Sequence, residues 1–177
     1  MKPSTLISLS VLALLTASTA NSANPEYASS RLTIPAVDAD GKPGYFQDIV
    51  LEATSNNMWK LIEAYEAIPI PKNIIEQVEL IKTDSVPVQA FLKITGTFRD
   101  GCGSVGQVSH SLNENQYTIM TYYKLNKARE PIACTQALVP FTHTIPLPTY
   151  GLSAGEYQYT LNDSFTGSFE LTTDNEL

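Results

Sequence analysis

The chain has 177 residues, a formal net charge of −7, two cysteines, two histidines and one tryptophan. That length fits one compact domain, or one domain with a small N-terminal addition. No Lys or Arg cluster is present to track a phosphate backbone, so nucleic acid and anionic membrane surfaces are poor partners, and the acidity itself mainly keeps the surface solvated.

Met1 and Lys2 make a short basic start, followed by an apolar run from Leu6 to Ala17 and the small residues Ser18, Thr19 and Ala20. This is the order of a secretory signal over residues 1–20. Small side chains at Ser18 and Ala20 favour cleavage before Asn21 over cleavage after Ala23. The apolar run is shorter than the ~20 residues needed to cross a bilayer, and no cysteine follows the cut to carry a lipid, so no membrane anchor is expected. Export, to the periplasm or the medium, places Cys102 and Cys134 where thiols oxidise, and two cysteines in such a chain pair. A metal site is the rival reading. Closing the loop between them is worth roughly 3–4 kcal/mol on a chain-entropy estimate.

After the signal, residues 21–67 read as a small N-terminal β-meander. Arg31 to Val37 and Tyr45 to Ala53 are expected strands around the turn from Asp38 to Gly44. Residues 58–65 fit a helical stripe (Met58, Leu61, Ile62, Tyr65) or a strand face (Trp59, Leu61, Tyr65), with a third strand preferred because the meander is already under way. Residues 68–73, with Pro69 and Pro71, read as a stiff connector.

Residues 74–173 contain seven alternating segments, the pattern of strands with one buried face, before a C-terminal tail at 174–177. Ile74 to Lys82 opens the set. The clearest segment runs from Val86 to Phe98, with Val88, Ala90, Leu92, Ile94, Gly96 and Phe98 on one face. Then come Val108 to Leu112, Tyr117 to Leu125, 138–147, Tyr157 to Leu161 and Phe165 to Leu171. Turn residues separate them, including Arg99-Asp100-Gly101, Asn113-Glu114-Asn115 and Asn162-Asp163. Pro140 and Pro146 cannot donate ladder hydrogen bonds, which pushes the 138–147 strand to an edge or makes it irregular.

Seven short strands over about 100 residues point to a sandwich. Leu152-Ser153-Ala154-Gly155-Glu156-Tyr157 resembles the tyrosine corner of immunoglobulin-like and fibronectin III-like domains, with Tyr157 bonding back to upstream backbone. The expected fold is therefore all-β: an immunoglobulin-like Greek-key β-sandwich behind an N-terminal β-meander. Cys102 and Cys134 flank strands instead of bridging sheet centres, so their bond should brace loops at one end.

Gly101-Cys102, Ala133-Cys134-Thr135, Leu138-Val139-Pro140-Phe141, Thr144-Ile145-Pro146-Leu147 and Gly151 to Tyr157 together resemble a β-rich domain of exported bacterial proteins of unassigned function. The resemblance spans roughly Ile74 to Leu171. It implies the same disulfide and sandwich and carries no catalytic residue with it. Leu32-Thr33-Ile34-Pro35 is similar to a β-meander that precedes other exported bacterial domains.

Gly101 to Gly106 spells G-x-G-x-x-G, but a dinucleotide site needs a helix after the glycines, and Gln107 to Asn113 alternates as a strand. His110 and His143 would need a third ligand to hold zinc or copper, and none is visible. Asp38-Ala39-Asp40-Gly41 begins like a calcium loop, but Lys42 takes the next ligand position, so a hairpin turn is expected. No G-x-S-x-G elbow supports a serine hydrolase. No catalytic residue, cofactor or metal is therefore expected.

Tyr122 lies in opposite register to Tyr117 and Tyr123, and Tyr150 sits in a Pro-rich loop, so both are candidate surface aromatics of the kind used to bind sugar or protein. The sequence thus points to a non-enzymatic binding module for an unknown protein or carbohydrate, working from loops near the disulfide and Tyr150 or from an open strand edge. The alternative is an inhibitor of an extracellular protease that presents Lys124, Lys127 and Arg129 from a disulfide-braced loop. The signal reading is checked by N-terminal sequencing of the exported protein, which is expected to begin at Asn21; an intact Met1 would exclude cleavage.

Overall fold

The computed structural model describes residues 24–39, 41–126 and 133–177; the signal, Asp40, Lys127 and Arg129 lie outside them. Eleven strands follow in chain order: β1 (Glu26–Ala28), β2 (Arg31–Ala39), β3 (Lys42–Ala53), β4 (Trp59–Glu66), β5 (Ile75–Lys82), β6 (Ala90–Phe98), β7 (Val105–Asn113), β8 (Gln116–Tyr123), β9 (Val139–Leu147), β10 (Gly155–Leu161) and β11 (Phe165–Leu171). They form three sheets, ordered β1-β2-β3-β4, β5-β6-β9 and β11-β10-β8-β7.

Period-two alternation makes the last two sheets into a sandwich. On β6, Ala90, Leu92, Ile94 and Phe98 are at most 2% exposed, while the residues between them are only half-buried. Tyr117, Ile119 and Leu161 oppose them from the other sheet and are fully buried. Each of the larger aliphatic side chains and Phe98 contributes about 1.5–3 kcal/mol by leaving water. Gly96 keeps the inward register without a side chain, because a Cβ there would collide with the Ile74 carbonyl and the Phe141 ring. Across the two sheets, Lys82 at the end of β5 donates to the Glu170 carbonyl of β11 at 2.9 Å.

The prolines of β9 act as the sequence predicts. Pro140 and Pro146 pair opposite Thr97 and Phe91 in an unbroken register. Being six residues apart, they direct their missing donors the same way, toward the open side, and β9 is an edge strand. From β8 the chain crosses to the other sheet as β9 and returns as β10, parallel to β8. That parallel pair departs from the wholly antiparallel sheets of immunoglobulin domains. Tyr157 stands near the start of β10, and its hydroxyl donates to the Ser153 carbonyl at 2.9 Å, the back-bond of a tyrosine corner.

Residues 59–66 are strand: β4 sets Leu61 opposite Leu51 and Trp59 opposite Ala53 of β3. The four-stranded sheet meets the sandwich at one end, through Ala67 against Met120 and Tyr122 of β8. The 68–73 segment is not a free spacer. Tyr123 N donates to Ile68 O at 2.9 Å and Ile70 N to Thr121 O at 2.9 Å, so the segment extends the ladder along the side of β8 that β10 leaves.

Asn162 makes that exchange of partners possible. Its backbone N–H donates to Ile119 O at 2.9 Å. Its Oδ1 accepts from Thr121 N at 2.7 Å, while Nδ2 donates to Ile70 O at 2.8 Å and to Thr121 Oγ1 at 2.6 Å. With φ at 47°, Asn162 sits in the left-handed region, which Asn tolerates better than most residues. Asn162→Ala is expected to lower stability by roughly 3 kcal/mol in urea unfolding, since buried backbone groups lose their partner and the left-handed backbone is strained. Asn162→Gly should recover only the backbone part, and a loss under about 1 kcal/mol for the Ala variant would refute the role.

Candidate functional site

At one end of the sandwich, Cys102 and Cys134 are joined, with Cα atoms 5.4 Å apart. Asp100 Oδ1 accepts from the amides of Cys102 and Gly103, both at 3.0 Å, and Gly101 N donates to Thr135 O at 3.0 Å. The ligand atoms of Asp100, Cys102 and Cys134 lie within 4.8 Å of one another. Both sulfurs are spent on the disulfide, which leaves one carboxylate and no metal-binding set. The glycine-rich run leads into β7, a strand, so its amides have no helix terminus to complete a phosphate cradle. Lys124 is exposed nearby, while Lys127 and Arg129 lie outside the described residues.

His110 and His143 stand on β7 and β9, edge strands of different sheets, and do not share a ladder. Desolvation lowers the pKa of each, favouring the neutral imidazole.

Of the two candidate surface tyrosines, Tyr122 is corrected by the structure. It points away from the sandwich core as its register requires, but the N-terminal sheet covers that face. Tyr122 is fully buried, and its hydroxyl donates to the Pro43 carbonyl at 2.6 Å. Tyr150 is 66% exposed. It does not share an end with the disulfide, as the sequence reading had placed it. Strand β9 runs from Val139, opposite Phe98 on the disulfide side, to Leu147, opposite Ala90. Tyr150 follows Leu147 and therefore lies at the far end.

The loop carrying Tyr150 is clamped by Asn175, a residue of the C-terminal tail at 174–177. Asn175 is 1% exposed. Its Nδ2 donates to Thr149 O at 2.8 Å and to Val88 O at 2.9 Å, and its Oδ1 accepts from Val88 N at 2.5 Å. Its backbone accepts from Gly151 N at 2.9 Å and donates to Leu152 O at 2.8 Å. Thr149 Oγ1 adds a bond to Val88 O at 2.6 Å, and Tyr117 donates to Pro148 O at 2.8 Å. Tyr150 is thus flanked on both sides by backbone held by one buried residue, through its side-chain amide at Thr149 and through its backbone at Gly151 and Leu152.

The bond from Tyr117 also fixes what else lies at this end. Gln116, its neighbour, closes the β7–β8 turn, and a shallow polar groove of about 190 Å³ runs between Asn113, Glu114, Asn115 and Gln116 on one side and Glu156 and Gln158 on the other. It is smaller than the ~300–1,000 Å³ of sites that enclose a drug-sized ligand. Asn115 Nδ2 donates across it to Glu156 O at 3.0 Å.

Neither Asn162 nor Asn175 was singled out from the sequence. Asn162-Asp163 gave a turn signal, but one compatible with many turns, and nothing near Asn175 marks it as buried.

These features define a disulfide-bonded all-β sandwich protein with a four-stranded N-terminal sheet. Residues 92–171 match the family model described as the ORF11 beta-sandwich domain, from the middle of β6 to the end of β11. No curated protein and no solved structure matches the chain.

Burial raises the pKa of Tyr117 to about 12, helped by the nearby Tyr157. Burial does the same for Tyr122, again to about 12, with Asp38, Asp163 and Tyr45 adding to it. The native state therefore holds both phenols neutral, whereas the unfolded chain releases these protons near pH 10. Their contribution to stability is complete below that pH and is lost as pH rises toward about 12. Alkaline titration should show falling thermal stability from about pH 10 upward, with part of the tyrosinate absorbance appearing only with unfolding. Full ionisation of all tyrosines in a chain that keeps its native circular dichroism would contradict this.

Proposed function

We propose that the chain is an exported, non-enzymatic binding module that engages a protein or carbohydrate through the 148–152 loop. Exposed Tyr150, held from both flanks by Asn175, is the observation that carries this reading. A tyrosine offers a broad amphipathic face with few rotamers to freeze. Anchoring the loop in advance removes ordering entropy that binding would otherwise have to overcome.

The buried polar side chains support the same view, because their hydrogen bonds go to framework. Asn162, Asn175 and Thr149 bond to backbone, as does Gln47, whose Nε2 reaches Gly44 O. The polar groove beside the β7–β8 turn adds carbonyl, amide and carboxylate groups at the same end, which suit a hydroxylated or peptide ligand that stacks on Tyr150. The signal and the exposed disulfide support export.

The test presents the purified exported protein to immobilised surface polysaccharides and to envelope proteins from the exporting cell, alongside Tyr150→Ala. Binding by the parent, weakened about tenfold or more by the substitution, is the expected outcome. The variant should melt with the parent, because Tyr150 is mostly exposed. Equal binding by both proteins would remove the loop from the site.

A further inference from the structure

The N-terminal sheet sorts its side chains by face. Residues directly opposite one another across a sheet share a face, and one row crosses all four strands as Tyr27, Leu32, Leu51 and Leu61. The flanking rows of the same face are Ile34 with Ile49 and Ala53 with Trp59. Tyr27 and Trp59, from the two outer strands, meet edge to face over it with ring centroids 6.0 Å apart. The opposite face carries the charges, with Arg31, Glu52 and Lys60 in one row and an Arg31–Glu52 ion pair at 3.3 Å.

A sheet with one apolar face needs a second layer to bury it. Among the described residues nothing supplies that layer: Tyr27 is 62% exposed, Leu61 58% and Trp59 48%, and no side chain of the three apolar rows is buried.

We infer that the layer is supplied by a second copy of the chain, which closes its own N-terminal sheet face to face on the first about a two-fold axis. Like faces can meet here because the three apolar rows carry no charged residue, so the chain's net charge of −7 is not concentrated at the contact. Three strands about 4.8 Å apart with about seven residues at ~3.3 Å each, and the short β1 beside them, give a face of roughly 380 Å². Two such faces bring about 760 Å² together before side-chain relief is counted, and the protruding Tyr27, Trp59 and Leu61 carry the contact toward the ~1,000 Å² that a specific interface should clear. Face-to-face packing at ~10 Å would turn two half-dry sheets into one eight-stranded sandwich. Closed two-fold symmetry needs only a patch that complements itself.

Trp59 is the chain's one tryptophan, so its fluorescence reads this interface without any substitution. Sedimentation of the purified exported protein over micromolar concentrations should give the dimer mass, with Trp59 emission moving to the red as dilution dissociates it. Leu61→Glu should weaken association at least tenfold, whereas Lys60→Glu, on the charged face, should not. A monomer at all concentrations would overturn the inference, as would a dimer unaffected by Leu61→Glu or a Trp59 emission that ignores dissociation. If Leu61→Glu does not fold, the dilution experiment on the unaltered protein decides alone. A protein that is monomeric, yet has Trp59 shielded by retained residues 1–20 or by a co-purified ligand, would also overturn it.

Discussion

A buried polar side chain has to satisfy its own hydrogen bonds or it costs more than it gives, and the amide of Asn162 meets that constraint by joining three separate pieces of chain. Strand β8 has β10 beside it as far as Ile119. Beyond that point β10 turns away at Asn162 and the 68–70 segment takes its place. The side chain of Asn162 fills the gap, accepting from Thr121 and donating to Ile70. With the connector fixed there, the N-terminal sheet is held against Met120 and Tyr122, and Tyr122 finds its partner in Pro43. This junction, together with the direct contacts of β3 with β7 and β8, places the N-terminal sheet.

The sandwich was legible because alternation is a local property. The residues of β6 state their own inward face, and Pro140 and Pro146, lacking donors, leave β9 either an edge or irregular, of which the structure shows the edge. Tyr157 was found by the same local reasoning, since its partner Ser153 is four residues away. The parallel pairing of β8 with β10 was not legible, because strand order depends on which distant segments meet.

The two tyrosine candidates separate for an instructive reason. Alternation says which way Tyr122 points, not what covers that face, and the covering Pro43 lies 79 residues away. The placement of Tyr150 beside the disulfide overlooked information the sequence did hold: a single strand, β9, separates Cys134 from Tyr150, and a strand puts its two flanking loops at opposite ends. Asn175 had no readable signal, since its partners, Val88, Thr149 and Gly151, are assembled only by the finished fold.

The clamp on the Tyr150 loop has a consequence for the order of events during biogenesis. Asn175 is made after every residue it holds. While the chain emerges N-terminus first, the β6 to β11 framework can pair, yet Val88 and the 149–152 backbone lack their shared partner until residue 175 arrives. The 148–152 loop is thus set only after every framework strand has been made, and the backbone on either side of Tyr150 is fixed at the end of synthesis.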